Sequence, residues 1–243
     1  MQKVELPRSV CGDAIVPPNF VPPTLPPPQP INLIIGIPTG QQQDVEWSSN
    51  FALNFIPRQC PPNSGVIFEN RYGIAQSREA IVNTFLRNPM ATHLLFYDTD
   101  ILPIDNHAIT TLISDTLSDP RKYIVSGCYY NSLYTGLAAW NQDVPLNFKD
   151  PNNIVNTSKD PLIEVDKVGM GLCMIRKDLF KLLVMEDRPL FFYKILEGNV
   201  MESEDFVFFD KLVKHGIKPF VDTRVKAEHI KRVKINFDGG IGL

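Results

Sequence analysis

The chain has 243 residues, 44% of them hydrophobic and 21% charged, and a net charge of −3. Those figures describe one large globular domain, or one domain with an appendage, long enough to bury a core without staples. Slight acidity and the lack of a dense Lys/Arg stripe exclude a general nucleic-acid binder.

From the amino terminus, Met1 to Asp13 lacks the apolar core of a signal peptide. Residues 17–30 carry eight prolines, which rules out helix and central strand and predicts an extended polyproline II arm. The folded domain, 31–243, begins with Ile31–Ile37, a nearly continuous apolar run closed by Pro38-Thr39-Gly40: a buried strand and its exit loop. Val45–Phe55 suits a helix, Gly65–Phe68 a short strand ending at Glu69-Asn70, and Ile74–Leu86 a helix with one apolar stripe. Thr92–Tyr97 is a second buried strand, followed directly by Asp98-Thr99-Asp100.

Apolar positions from Ile104 to Leu117 predict another helix, with Asp105 as its cap. Tyr123–Ser126 and Thr135–Trp140 suit strands, and the polar stretch Asn141–Asp160 a long loop. Leu162–Val165 and Leu172–Ile175 are strand-like around Gly169-Met170-Gly171; Asp178–Val184 and Ser203–His215 are helical; Pro219–Val221 is a late strand. Alternating helices and buried strands predict an α/β fold around one mixed, mostly parallel sheet flanked by helices. No stretch reaches the roughly 18 apolar residues of a spanning helix. Cys11, Cys60, Cys128 and Cys173 lack Cys-x-x-Cys spacing and outline neither a zinc site nor a disulfide framework. A soluble cytoplasmic protein is expected, with room for peripheral contact with a membrane.

The chemistry concentrates at strand exits. Asp98 and Asp100 lie outside the carboxyl end of a buried strand, where open α/β sheets bind ligands. Two acids one residue apart can hold a hard divalent cation through oxygen and leave other positions for water and phosphate. The Pro38-Thr39 exit is in reach of a nucleotide, and Glu69 and Asn70 could read a base edge, although strand-exit residues are often merely solvated. Arg78, early in its helix, offers a fork to phosphate or base, or else sits on a solvated helix face. Glu204 and Asp205 complement a helix dipole after the N-cap Ser203, or supply a general base. His229 is either a structural histidine or an imidazole completing a metal site begun by the two acids. His93, His107 and His215 suit structural roles.

Taken in order, Ile34-Ile-Gly-Ile-Pro-Thr39, Gln76-Ser-Arg-Glu79, Phe96-Tyr-Asp-Thr-Asp-Ile-Leu-Pro103, Val165–Ile175, Ser203-Glu-Asp-Phe-Val-Phe-Phe209 and Glu228-His-Ile230 resemble the GT-A class of nucleotide-sugar glycosyltransferases. The resemblance spans roughly residues 31–232. It implies that Asp98 and Asp100 bind a divalent metal, Mn²⁺ or Mg²⁺, and the donor's diphosphate. It implies nucleotide contacts at Pro38, Thr39 and Arg78, and a tight loop at Gly169 and Gly171 that meets the donor sugar. Glu204 or Asp205 would match the base of inverting members, with Asp205 favoured, and His229 a late histidine that also touches the metal.

The activity implied is transfer of a hexose from a nucleotide-diphosphate sugar to a hydroxyl acceptor, whether glycan, lipid or protein. A sugar-phosphate nucleotidyltransferase would need a basic, glycine-rich loop after the first strand, and Ile37–Gln43 has no Lys or Arg. A non-catalytic sugar-nucleotide-binding relative would have lost a member of the constellation. The 141–160 segment matches no acceptor pattern, so the sequence leaves acceptor and oligomeric state open.

Overall fold

The computed structural model describes residues 30–39, 48, 51, 56–131, 136–184, 188–199, 201–230, 234–235 and 241–242. The proline-rich arm before Pro30 lies outside the described residues, as does the helix expected over Val45–Phe55 apart from Ser48 and Phe51.

The buried apolar runs make the middle of an eight-stranded sheet. Strand β1 (Leu33–Pro38) is buried along its whole length. It pairs in parallel with β2 (Gly65–Glu69) and with β3 (His93–Tyr97). Beyond β3 the sheet continues through β10 (Leu172–Arg176), β5 (Ile124–Cys128), β13 (Phe220–His229) and the short β4 (Ile101–Pro103), and β8 (Leu162–Glu164) also joins β13. β10 runs against β3 and β5, β4 and β8 run against β13, and β13 is parallel to β5. Five of the eight strands therefore point one way, and their carboxyl ends share one edge of the molecule.

Alternation along the strands sorts the core into two layers. Ile34, Leu94 and Phe96 pack on one face with Ile81 and Phe85 of α2 (Ile74–Arg87), Phe180 of α5 (Lys177–Val184) and Phe208 of α6 (Glu204–Lys214). Leu33, Ile35, Leu95 and Tyr97 pack on the other with Ile109 and Leu112 of α3 (Ala108–Ser118). Covering on both faces is why these strands read as continuous apolar runs. Each fully buried Leu, Ile or Phe here contributes about 1.5–3 kcal/mol. α2 lies close on β1: a Cβ on Gly36 would stand 2.4 Å from Cγ2 of Ile81. That approach carries Arg78, one helical turn before Ile81, down onto the end of the sheet.

Smaller elements complete the chain: α1 (Ile56–Gln59), a three-stranded sheet of β6 (Ala139–Asn141), β7 (Val144–Pro145) and β9 (Lys167–Val168), α4 (Ile154–Thr157), and the two-stranded pairs β11 (Lys194–Ile195) with β12 (Met201–Glu202) and β14 (Lys234–Ile235) with β15 (Ile241–Gly242).

Four sequence expectations are corrected. α3 starts at Ala108, and Asp105 holds the preceding turn by accepting the His107 N–H at 2.8 Å. The strand expected over Thr135–Trp140 narrows to β6, with 135 itself outside the described residues. The 141–160 segment contains β7 and α4, and the Asn156 amide ties it by donating to the carbonyls of Phe148 (3.0 Å) and Asp150 (2.6 Å). The late strand runs on from Phe220 to His229 through a register shift between Asp222 and Lys226, which lets its far end pair with β4.

Candidate active site

The shared carboxyl edge gathers the polar residues singled out in the sequence. Thr39 follows β1, Glu69 ends β2, Asp98 follows β3, Tyr129 follows β5 and His229 ends β13. β10 runs the other way and brings its leading loop, Gly169 to Gly171, to the same place, and the amino end of α6 adds Glu204 and Asp205. Pairing of His229 with Ile101 fixes the histidine beside the acidic turn.

Arg78 is the electrostatic centre. It is 1% exposed. Its Nη2 donates to both oxygens of Asp98, at 2.9 and 3.2 Å, and its Nη1 donates to Glu204 Oε1 at 2.5 Å and to Asp205 Oδ1. Nε has no partner among the described residues, and the Phe96 ring lies 5.7 Å from Cζ. Burial alone would depress the guanidinium's pKa, but Asp205, Asp98 and Glu204 outweigh it and raise it. Asp98 is pushed above the usual carboxylate range by burial, against the pull of Arg78 and with Asp100 adding to the rise.

Asp205 keeps a fifth of its side-chain area open, and its Oδ2 accepts the Met170 N–H at 3.2 Å. Burial pushes it up to about 7 against the pull of Arg78, with Glu204 and Asp98 adding to the rise. Successive helical side chains diverge by about 100°, which predicts that Glu204 and Asp205 face apart. Instead both reach the same Nη1, because the guanidinium sits across the helix's first turn, and only Asp205 also faces the cleft.

The loop 169–171 is shaped by Tyr129. Its hydroxyl accepts the Gly171 N–H at 2.8 Å, and Asp98 N–H donates to the Gly171 carbonyl at 2.9 Å. A Cβ at Gly169 would stand 2.4 Å from that hydroxyl, and one at Gly171 would stand 2.9 Å from it and 2.8 Å from Ile101. Both glycines are there for close approach. Burial raises the Tyr129 pKa well above the ordinary phenol value, so the ring stays neutral between the acids.

Asp100 is in a different setting, with about half of its side chain exposed. His229 Nε2 stands 3.1 Å from Asp100 Oδ2, and His229 Nδ1 stands 2.9 Å from the Tyr130 carbonyl oxygen. A carbonyl can only accept, so Nδ1 carries a hydrogen toward Tyr130, and Nε2 faces the carboxylate. That donor set fits a hard or borderline divalent ion, with the second ring nitrogen oriented by a carbonyl as metal-bound histidines usually are. Among the described residues no group of three or more His, Cys, Asp or Glu side chains is arranged to hold a metal.

The cleft has two lobes that share Asp98 and Asp100. The larger, about 820 Å³, is lined by Pro38, Thr39, Asn70, Arg71, Tyr72 and Gly73 among others. The smaller, about 300 Å³, is lined by Gly169, Gly171, Asp205, His229, Trp140 and Phe206 among others. Glu69, Arg78 and Glu204 line neither lobe. Glu69 accepts from Arg71 Nε at 3.1 Å, and its carbonyl accepts the Thr39 N–H at 2.8 Å. Arg78, expected at the nucleotide, is buried beneath three carboxylates, and Asp98, expected among the metal ligands, has both oxygens turned to that arginine. Sequence reasoning missed Arg71, Tyr72, Tyr129 and Trp140. For the first two a signal existed, since they directly follow Asn70 at a strand exit.

Solved structures share this architecture. A197 from STIV superposes with a TM-score of 0.59 at 20% identity, covering 87% of this chain and 93% of that one. GalNAc-T7, crystallised with UDP, GalNAc and Mn²⁺, superposes with a TM-score of 0.56 at 14% identity, covering 83% of this chain and 44% of that one. This is a GT-A-like fold. At these identities the likeness establishes the fold and no more. No family model and no curated protein sequence matches the chain. Within the GT-A-like fold the acidic turn Asp98–Asp100 stands where the two lobes meet, and none of the described helices is long and apolar enough to cross a membrane.

Proposed function

We propose that this protein is a metal-dependent glycosyltransferase that moves a sugar from a nucleotide-diphosphate sugar to a hydroxyl acceptor. The observation that carries it is the two-lobed cleft, with an acidic turn at the seam and one cleft-facing carboxylate, Asp205, in the smaller lobe. The GT-A-like fold, and a neighbour crystallised with UDP, GalNAc and Mn²⁺, support the same reading.

On this reading the larger lobe takes the nucleotide. Pro38 and Thr39 flank it, Asn70 and Tyr72 stand at its rim, and Arg71, steadied by Glu69, offers a fork to phosphate. Asp100 and His229 would hold Mn²⁺ or Mg²⁺, which when bound neutralises charge on the departing diphosphate. Asp98 stays on Arg78 and fixes the turn, while Gly169 and Gly171 let backbone approach the donor sugar. Asp205 takes the proton from the acceptor hydroxyl as the hydroxyl oxygen attacks the anomeric carbon, an inverting displacement. A carboxylate pushed up to about 7 is near the best strength for a base working close to neutrality. Glu204, buried against Arg78, positions Asp205.

Incubation with a panel of nucleotide sugars and Mn²⁺ tests this. Metal-dependent release of nucleoside diphosphate, stimulated by an acceptor and giving a product of inverted anomeric configuration by NMR, is expected. A retained configuration would remove the base role from Asp205. Release of pyrophosphate from sugar phosphate and nucleoside triphosphate would make the protein a nucleotidyltransferase.

A further inference from the structure

Trp140 and Phe206 have no part in that chemistry, yet both line the smaller lobe beside Asp205. Their rings meet edge to face, with centroids 4.9 Å apart and planes at 74°. The corner is held from behind. Lys167 Nζ lies 4.5 Å from the Phe206 centroid and is paired with Asp143 at 3.2 Å and Asp210 at 3.1 Å. Trp140 sits on the middle strand of the small sheet, opposite Pro145 on one side and Lys167 on the other. An aromatic corner this well supported is built before any ligand arrives, and a preformed wall costs less to use than one ordered on binding.

We infer that the smaller lobe takes a neutral carbohydrate ring as acceptor, laid against Trp140 with one hydroxyl toward Asp205; this rests on the transfer reading above. Three features select that class. The lobe is lined by two aromatic rings, Trp140 and Phe206, and by three carboxylates, Asp98, Asp100 and Asp205. A pyranose matches both, because its ring face carries C–H groups polarised by the neighbouring oxygens and its rim carries hydroxyl donors. The negative face of an aromatic ring attracts the former, and carboxylates accept from the latter.

Charge is the second feature. None of the described residues lining the lobe is Lys or Arg, so a phosphate-bearing lipid or an acidic peptide would meet like charge, which disfavours association. The larger lobe shares Asp98 and Asp100 but also carries Arg71. Size is the third. About 300 Å³ is at the lower end of ligand pockets, the scale of a single ring.

Saccharide binding can be read without turnover. The chain has two tryptophans, Trp47 and Trp140, so Trp47→Phe leaves Trp140 as the sole indole. Titrating the unmodified chain and this variant with methyl glycosides of glucose, galactose, mannose and N-acetylglucosamine, with UDP and Mn²⁺ present, should give a saturable emission change with at least one sugar in both proteins. Trp140→Phe should abolish that change. In transfer assays Trp140→Ala should raise the saccharide KM tenfold or more while the donor KM moves less than threefold, and Trp140→Phe should restore most of the loss. Silence toward every sugar in both titrated proteins, an equal rise in donor KM, or preferred transfer to a serine peptide or a lipid alcohol would overturn the assignment. Saccharide binding at Trp140 in a protein that cleaves no nucleotide sugar would refute the transfer reading and leave the carbohydrate site standing.

Discussion

The Arg78 hub and the Asp100–His229 pair are made of the same kinds of side chain at the same edge of the sheet, and they behave oppositely. At the hub, three carboxylates find their counter-charge inside the protein, in an arginine 1% exposed. Asp100 and His229 instead line the cleft, their facing atoms 3.1 Å apart and about half of the Asp100 side chain exposed. A carboxylate buried against an arginine holds geometry, whereas a half-exposed one on the cleft wall is open to a ligand. Exposure to the cleft thus separates the acids that build the site from the one that can bind.

The largest effect expected follows from breaking the hub. Arg78→Met leaves Asp98, Glu204 and Asp205 facing one another without a cation, and removing one member of a buried ion pair costs about 3–5 kcal/mol. At about 2–4 °C per kcal/mol for a chain of this size, calorimetry should show the melting temperature falling by on the order of 10 °C. A fall below about 2 °C would mean that the carboxylates are held by something else. Arg78→Lys should recover only part, since one ammonium cannot fork to three partners.

Asp205 and Glu204 sharpen the contrast within one turn of helix. Asp205→Asn should lower transfer by about 10²–10⁴-fold, the usual worth of a general base, with nucleotide affinity little changed. Glu204→Gln should instead lower stability by about 1–3 kcal/mol, the cost of disturbing a buried hydrogen bond, and reduce turnover less. Transfer should rise with pH through about 7 as Asp205 loses its proton. The folded chain binds that proton more tightly than the unfolded chain, so stability from this group is present at low pH and lost as pH climbs from about 4 toward 7. Urea unfolding at pH 5 and pH 8 should therefore differ less in Asp205→Asn than in the unmodified chain.

Much of the fold was legible because both faces of its central strands are buried. Ile31–Ile37 and Thr92–Tyr97 needed no alternation to be read as strands, and the stripe of α2 stood out at helical spacing. The acidic turn was legible because Asp98 follows such a run directly. What the sequence hides are contacts between residues far apart along the chain. Nothing local says that Arg78 lies under Glu204 and Asp205, 126 and 127 positions away, since an arginine early in a helix reads as a surface fork. Tyr129 and Trp140 were hidden likewise, because they acquire meaning only when β5 and the small sheet bring them against Gly171 and Phe206. The far half of β13 was missed because its polar, alternating residues look like loop until β4 supplies a partner.

The smallest effect expected concerns the proline-rich arm. Deleting residues 1–28 should change nucleotide affinity less than twofold, and a large loss would mean that the arm contributes to the larger lobe.

Most direct is calorimetric titration of UDP and GDP into the unmodified chain and into Asp100→Ala and His229→Ala, each with and without Mn²⁺. Metal should tighten binding of at least one nucleotide to the unmodified chain by tenfold or more, fail to do so in Asp100→Ala, and do so more weakly in His229→Ala, where water can replace one imidazole. Nucleotide binding indifferent to metal, or a metal effect that survives Asp100→Ala intact, would contradict the account.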